Sequence, residues 1–252
     1  METAGWSLTL IGLVTLSLLV WRARVARLLS LFPVFYSYII YVLCGTVTLT
    51  VIYVIRPRWY ATGFWFHELV CVLVEFAVLV EIADHMFQPF PAIRHLGRAL
   101  TLLISFTFAL VYILPAILQR HEPGATLLDF ALRASVTKAV ILAGLVFTAH
   151  RFGLRLGRNV AGLMLGFSIY LGVNVANFAA AQNFGQALYI RILWVMSPIA
   201  FTLCLLVWTI ALWELAPMPR TDSVRPAPGG NSQALTLELA RFNGALSRFL
   251  RR

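Results

Sequence analysis

Long apolar stretches alternate along the chain with short clusters of Arg, Pro and Gly. Seven apolar runs lie at about 5–21, 33–55, 64–86, 99–118, 127–149, 159–183 and 187–214. Each is near the roughly 20 residues a helix needs to cross a hydrocarbon core about 30 Å thick. The runs use Leu, Val, Ala and Gly without the strict alternation of a barrel strand, so helices are the spanning elements that the pattern predicts. The expected fold is all-α: a polytopic membrane protein with a seven-transmembrane helix bundle over residues 1–215.

After Glu214 the pattern changes. The segment "LAPMPRTDSVRPAPGG" is rich in Pro and Gly, and residues 216–230 read as an extended linker. Residues 231–252 resume helical spacing, with Leu235, Leu239, Phe242, Leu246, Phe249 and Leu250 opposite Glu238, Arg241, Asn243, Arg248 and Arg251. Asn231 or Ser232 suits the N-cap. A short basic amphipathic helix of this kind either lies on an anionic membrane surface or docks a protein partner.

Composition strengthens the membrane reading, because 60% of the residues are hydrophobic, against about half in a soluble domain. The net charge of +10 would raise nucleic acid as a partner for a soluble chain. Here its distribution follows topology instead, and no nucleic-acid partner is expected. Arg22, Arg24, Arg27, Arg94, Arg98, Arg151, Arg155, Arg158 and the six arginines beyond Glu214 all fall on one side of a seven-span chain. The positive-inside rule then predicts an outer N-terminus and a cytoplasmic C-terminus, in the plasma membrane (the inner membrane if the source is bacterial). The first run follows Met1-Glu2-Thr3 without a basic leader or a small-residue cleavage site, so it is expected to be retained as a span.

The third run, "FHELVCVLVEFAVLVEIADH", carries far more charge than a span tolerates without a reason. Glu68, Cys71 and Glu75 follow at i, i+3 and i+7 and share one helix face. Glu81, Asp84 and His85 approach the inner boundary, where Arg94 and Arg98 are within reach. The fifth run offers Asp129, Arg133 and Lys138, with Arg133 near the level of Glu68 and Lys138 near that of Glu75. Arg133 and Lys138 are about 140° apart around the helix, so both cannot face the third helix directly. The sixth run adds a stripe of Tyr170, Asn174 and Asn177, and the seventh adds Arg191 near its outer end. These nine residues, Glu68, Glu75, Asp129, Arg133, Lys138, Tyr170, Asn174, Asn177 and Arg191, outline a polar intramembrane site in the outer half of the bundle. It serves a small ligand, an ion pathway or a closed ion network. Glu75, nearest mid-membrane, is the residue on which a proton relay would depend, and a close Lys138 opposes that role.

Other motifs add little chemistry. His67 and Cys71 stand at i, i+4, but HxxxH, HExxH and paired CxxC patterns are missing, so neither a metal nor a cofactor is expected. Cys44, Cys71 and Cys204 lie in three different runs and form no disulfide framework. Ser7, Ser17 and Ser37 have no neighbouring base, and no GxSxG motif occurs. The seventh run has no lysine for a retinal linkage. Gly162 and Gly166, then Gly172, Ala176 and Ala180 among themselves, share a four-residue step and form a small-residue stripe for close helix packing, within the bundle or between protomers. Between runs two and three, "RPRWYATGFW" reads as an aromatic belt at the outer interface.

The sequence therefore predicts a non-enzymatic sensor, receptor-like or assembly subunit that signals to a partner through its cytoplasmic side. A proton- or ion-coupled transporter using Glu75 is the competing class. A lipid-modifying enzyme, which would need the inner histidines and Asp84, ranks last.

Overall fold

A computed structural model describes residues 2–88, 90–108, 111, 123–151, 154, 156–184, 186–214, 241 and 244. Among them the chain is entirely helical, with α1 (Glu2–Val25), α2 (Pro33–Ile55), α3 (Pro57–Met86), α4 (Pro91–Phe108), α5 (Pro123–Arg151), α6 (Arg158–Phe184) and α7 (Gln186–Ala211). No strand occurs among the described residues. Four helices are long and apolar enough to cross a membrane, over Ser7–Val25, Pro33–Ile55, Asp129–Arg151 and Arg158–Asn177. This supports a membrane protein whose apolar helices are compatible with lipid contact. The expected linker at 216–230 and amphipathic helix at 231–252 lie outside the described residues, except for Arg241 and Gly244, both helical. The fourth apolar run is described only as far as Phe108, with Val111 beyond it.

Local sequence explains where the helices begin. α2, α3, α4 and α5 each open on a proline, whose fixed φ suits the first helical turn and whose missing N–H costs nothing there. Arg56 alone joins α2 to α3, extended at φ −141° and ψ 71°, as the residue before a proline prefers. α3 therefore starts earlier than the apolar pattern implies. The "RPRWYATGFW" segment contributes its first turns instead of a connecting belt. Tyr60 packs edge-on against Tyr53 of α2 and stacks along Phe64. At 30 residues, α3 is about 45 Å long, well over the roughly 30 Å of a hydrocarbon core.

The helix ends carrying the arginines gather at one end of the bundle. Arg22 of α1 donates from Nε to the Trp213 carbonyl at 2.7 Å and lies 5.2 Å over its ring. Asn159 of α6 donates to the carbonyls of Ala211 at 3.1 Å and Glu214 at 3.0 Å, and Arg158 donates to that of Ile210 at 3.2 Å. The last carbonyls of α7, left without helical N–H partners, are thus taken up by neighbouring side chains. At the same end Asp84 pairs with Arg94 at 3.0 Å and reaches Arg98 at 4.0 Å. That hydrogen bond holds the Arg94 guanidinium above its ordinary pKa.

Glu81 departs from expectation. It is buried and makes no ion pair with Arg94 or Arg98; its two carboxylate oxygens accept hydrogen bonds from the backbone N–H of Val34 at 2.9 Å and Phe35 at 2.8 Å. Phe32, at the N-cap of α2, has no side-chain acceptor to offer, so a carboxylate from α3 does this work.

Close packing within the bundle uses the small-residue stripe only in part. A Cβ on Gly162 would lie 2.0 Å from the Ala211 Cβ, and one on Gly166 would lie 2.3 Å from the Trp208 ring nitrogen. α6 and α7 therefore touch backbone to side chain at these two positions. A Cβ on Gly172 would meet nothing within 4 Å. Gly166→Leu is accordingly expected to cost about 1–3 kcal/mol through overpacking, seen as a lower melting temperature in detergent. Gly172→Ala should be neutral or stabilising by up to about 1 kcal/mol, because it gains helix propensity without a clash.

Candidate functional site

The centre of the bundle is built around Glu75 of α3. Its side chain and that of Lys138, from α5, are each 3% exposed. The Lys138 ammonium donates to the Glu75 Oε2 in a buried ion pair. The other carboxylate oxygen, Oε1, accepts a hydrogen bond from the Tyr38 hydroxyl of α2 at 3.1 Å. Three helices thus meet at one carboxylate. Such a pair is tolerated away from water only when contact geometry and further hydrogen bonds offset the lost solvation.

Beneath this triad, towards the basic end, lies a layer of rings. Trp208 of α7 packs edge-on against Phe35 at 5.0 Å and tilts against Phe167 of α6 at 4.9 Å. Tyr38 lies 6.1 Å from Phe167 and 6.4 Å from Trp208. The indole N–H of Trp208 donates to the Leu163 carbonyl at 3.3 Å, so the ring is held polar end included. All four aromatics are fully buried. They form an apolar layer between the ion pair and the arginine-rich end on the side of α2, α6 and α7.

On the other side of the triad the surroundings are polar and more open. Glu68 lies seven residues before Glu75, about 10 Å further along α3. It is half-buried, and it makes no ion pair with a described residue. Glu68 is within electrostatic range of Glu75 and Lys138, and also of Tyr41 and Tyr170. His67 stacks on Tyr41 at 5.0 Å, contacts the Cys71 sulfur through Nε2 at 3.5 Å, and fills the space a side chain on Gly45 would take. No group of three or more His, Cys, Asp or Glu with metal-binding geometry occurs among the described residues.

Eight of the nine polar residues singled out from sequence have described side chains, and the structure brings some of these together. Glu75 and Lys138 meet, and Glu68 stands near them. Arg133 is exposed and pairs with Asp129 on its own helix at 2.7 Å, whereas Lys138 is buried against Glu75. The 140° separation decides the matter: α5 can offer only one of its two cations to α3. Asn177 donates to the Ser197 hydroxyl of α7 at 3.1 Å, beside Pro198 in the interior of that helix. Tyr170 interacts with Asn174 one turn along α6 and packs edge-on against Phe201 at 5.9 Å. Arg191 lies in α7, with its side chain outside the described residues.

Tyr38 and the aromatic layer were not singled out from sequence. Tyr36, Tyr38 and Tyr41 stand in the first half of the second apolar run, and a buried hydroxyl there needs a partner. That signal was present. It did not reveal which of the three hydroxyls faces Glu75.

Neither a family model, nor a curated protein, nor a solved structure matches this chain.

Glu75→Gln or Lys138→Met alone strands a buried charge and is expected to cost about 3–5 kcal/mol. The double variant should recover most of that loss, a coupling that a thermal double-mutant cycle in detergent measures directly. Tyr38→Phe removes one hydrogen bond to a charged acceptor and should cost about 1.5–3 kcal/mol.

Proposed function

We propose that this chain is a non-enzymatic sensor or assembly subunit of the plasma membrane (the inner membrane if bacterial), with all seven helices spanning, the N-terminus outside and the C-terminus cytoplasmic. Several contacts support the topology. Helix ends bearing Arg22, Arg94, Arg98, Arg151 and Arg158 lie together at one end, and basic residues favour the cytoplasmic side.

The observation that carries the sensing role is the position of the Glu75–Lys138–Tyr38 triad, between a layer of buried rings on the basic side and the half-open Glu68 on the other. A buried ion pair is often no more stabilising than an apolar pair of similar size. What it does supply is two states: closed, with α3 and α5 held by the charges, and open, with each charge satisfied by something else. A small cation competing for Glu75, or an anion competing for Lys138, would arrive past Glu68 and release one helix from the other. The ligand class is therefore a small ion or charged solute from the outer side. The helix at 231–252 passes the altered state to a protein partner.

The transporter reading draws on the acidic column of Glu68 and Glu75 on one face of α3. It requires a continuous polar path, and the ring layer opposes one.

Proteoliposome measurements separate the two classes. A sensor shows no protein-dependent proton or solute flux under an imposed gradient, and deletion of residues 231–252 removes a protein that otherwise co-purifies from native membranes. Measurable flux that disappears in Glu75→Gln, together with unchanged co-purification after the deletion, overturns the sensor in favour of the transporter.

A further inference from the structure

A second feature lies outside the ion pair. Along the flank of α5, Ala139, Leu142, Ala143, Val146, Phe147 and His150 recur at helical spacing and line an open groove of about 530 Å³, to which α6 contributes Leu171 and Gly172. Its volume falls within the roughly 300–1,000 Å³ of small-molecule sites. Almost all of the wall is apolar. The one hydroxyl in it, Ser168, is already committed to the Met164 carbonyl at 2.8 Å. Ala139, Ala143 and Gly172 leave the width, and Phe147, 67% exposed, forms an outer lip.

Length and charge identify what fits. From Ala139 to His150 the groove follows α5 for about 17 Å, close to half of a roughly 30 Å hydrocarbon core, the thickness of one leaflet. Both flanking helices are among the four apolar enough to cross a membrane. Charge is confined to one end, where His150 lines the groove and, with Arg151 next to it, is exposed in the last turn of α5. Basic pockets between helices on the cytoplasmic side attract anionic lipid headgroups. A helix from a second copy would need a seam across the whole membrane, and the groove covers only half of that.

We propose that this groove binds one acyl chain of an anionic phospholipid, with the lipid phosphate against His150 and Arg151. The assignment to the inner leaflet rests on the orientation proposed above; the groove and its chemistry do not. Because Ala139, next to Lys138, lines the end of the groove away from His150, the terminal methyl of the bound chain lies beside the helix turn that supplies the buried cation.

Titration of the full-length chain in mild detergent with phosphatidylglycerol or phosphatidylcholine of identical acyl chains, read by native mass spectrometry, tests this directly without reference to orientation or flux. The expected result is one tightly held phosphatidylglycerol. Arg151→Gln should weaken it about fivefold, the effect of one basic residue at a membrane surface, while leaving phosphatidylcholine unchanged. Gly172→Leu, which has open space for its side chain, should abolish binding of both lipids with the melting temperature maintained. Should that variant fold poorly, Ala143→Leu blocks the same groove from the α5 side. Equal binding of the two lipids by wild type, or retention of phosphatidylglycerol by a folded groove-filling variant, overturns the proposal. So does a dimer that Gly172→Leu dissociates, since the occupant is then a second copy.

Discussion

A carboxylate and an ammonium removed from water must find each other, because alone each loses several kilocalories per mole of solvation. Here that constraint falls on Glu75 and Lys138, and much of the interior follows from it. Contact between them fixes how far α5 is shifted along α3 and which face each helix turns inward. It also forces Arg133 outward, onto Asp129. The carboxylate has a second oxygen to satisfy, which draws Tyr38 of α2 into the same centre. The apolar rings around Tyr38 then exclude water from one side, which makes contact between the two charges all the more necessary.

The same logic acts on the backbone at the arginine-rich end. Helix termini leave N–H and C=O groups without partners, and in an apolar setting these cannot be ignored. The start of α2 is completed by Glu81 from α3, and the end of α7 by Arg22, Arg158 and Asn159 from α1 and α6. Carboxylates serve the positive helix end and cations the negative one, in the sense that the helix dipole favours. Residues that look in sequence like a solvated charged rim are therefore, in part, the fasteners of the bundle.

How far these features were legible in the sequence depends on whether they are set by one helix or by two. Hydrophobic runs and the charged face of α3 are properties of single segments, and they were readable, as was the matched level of Glu75 and Lys138. The boundary of α3 was not, since an apolar pattern stops at Phe64 while Pro57 is what nucleates the helix. The depth of Glu81 points to the inner boundary and its arginines, whereas its acceptor role depends on α2 beginning beside it. The incompatibility of Arg133 and Lys138 was visible from phase alone, but the choice between them belongs to the packing of α5 on α3. Gly162 and Gly166 illustrate the same divide: their spacing predicted close approach, and only the contacts with Ala211 and Trp208 show that α7 is the neighbour.

The fastening of α2 to α3 has a mechanical meaning. One residue, Arg56, links them at one end, and the Glu81 carboxylate grips the first turn of α2 at the other. A hairpin tied at both ends resists sliding or splaying, so α2 and α3 move as a single lever. α6 and α7, locked by glycine contacts and by Asn159, form a second stiff unit. The Lys138 side chain spans the joint between α5 and the first of these units.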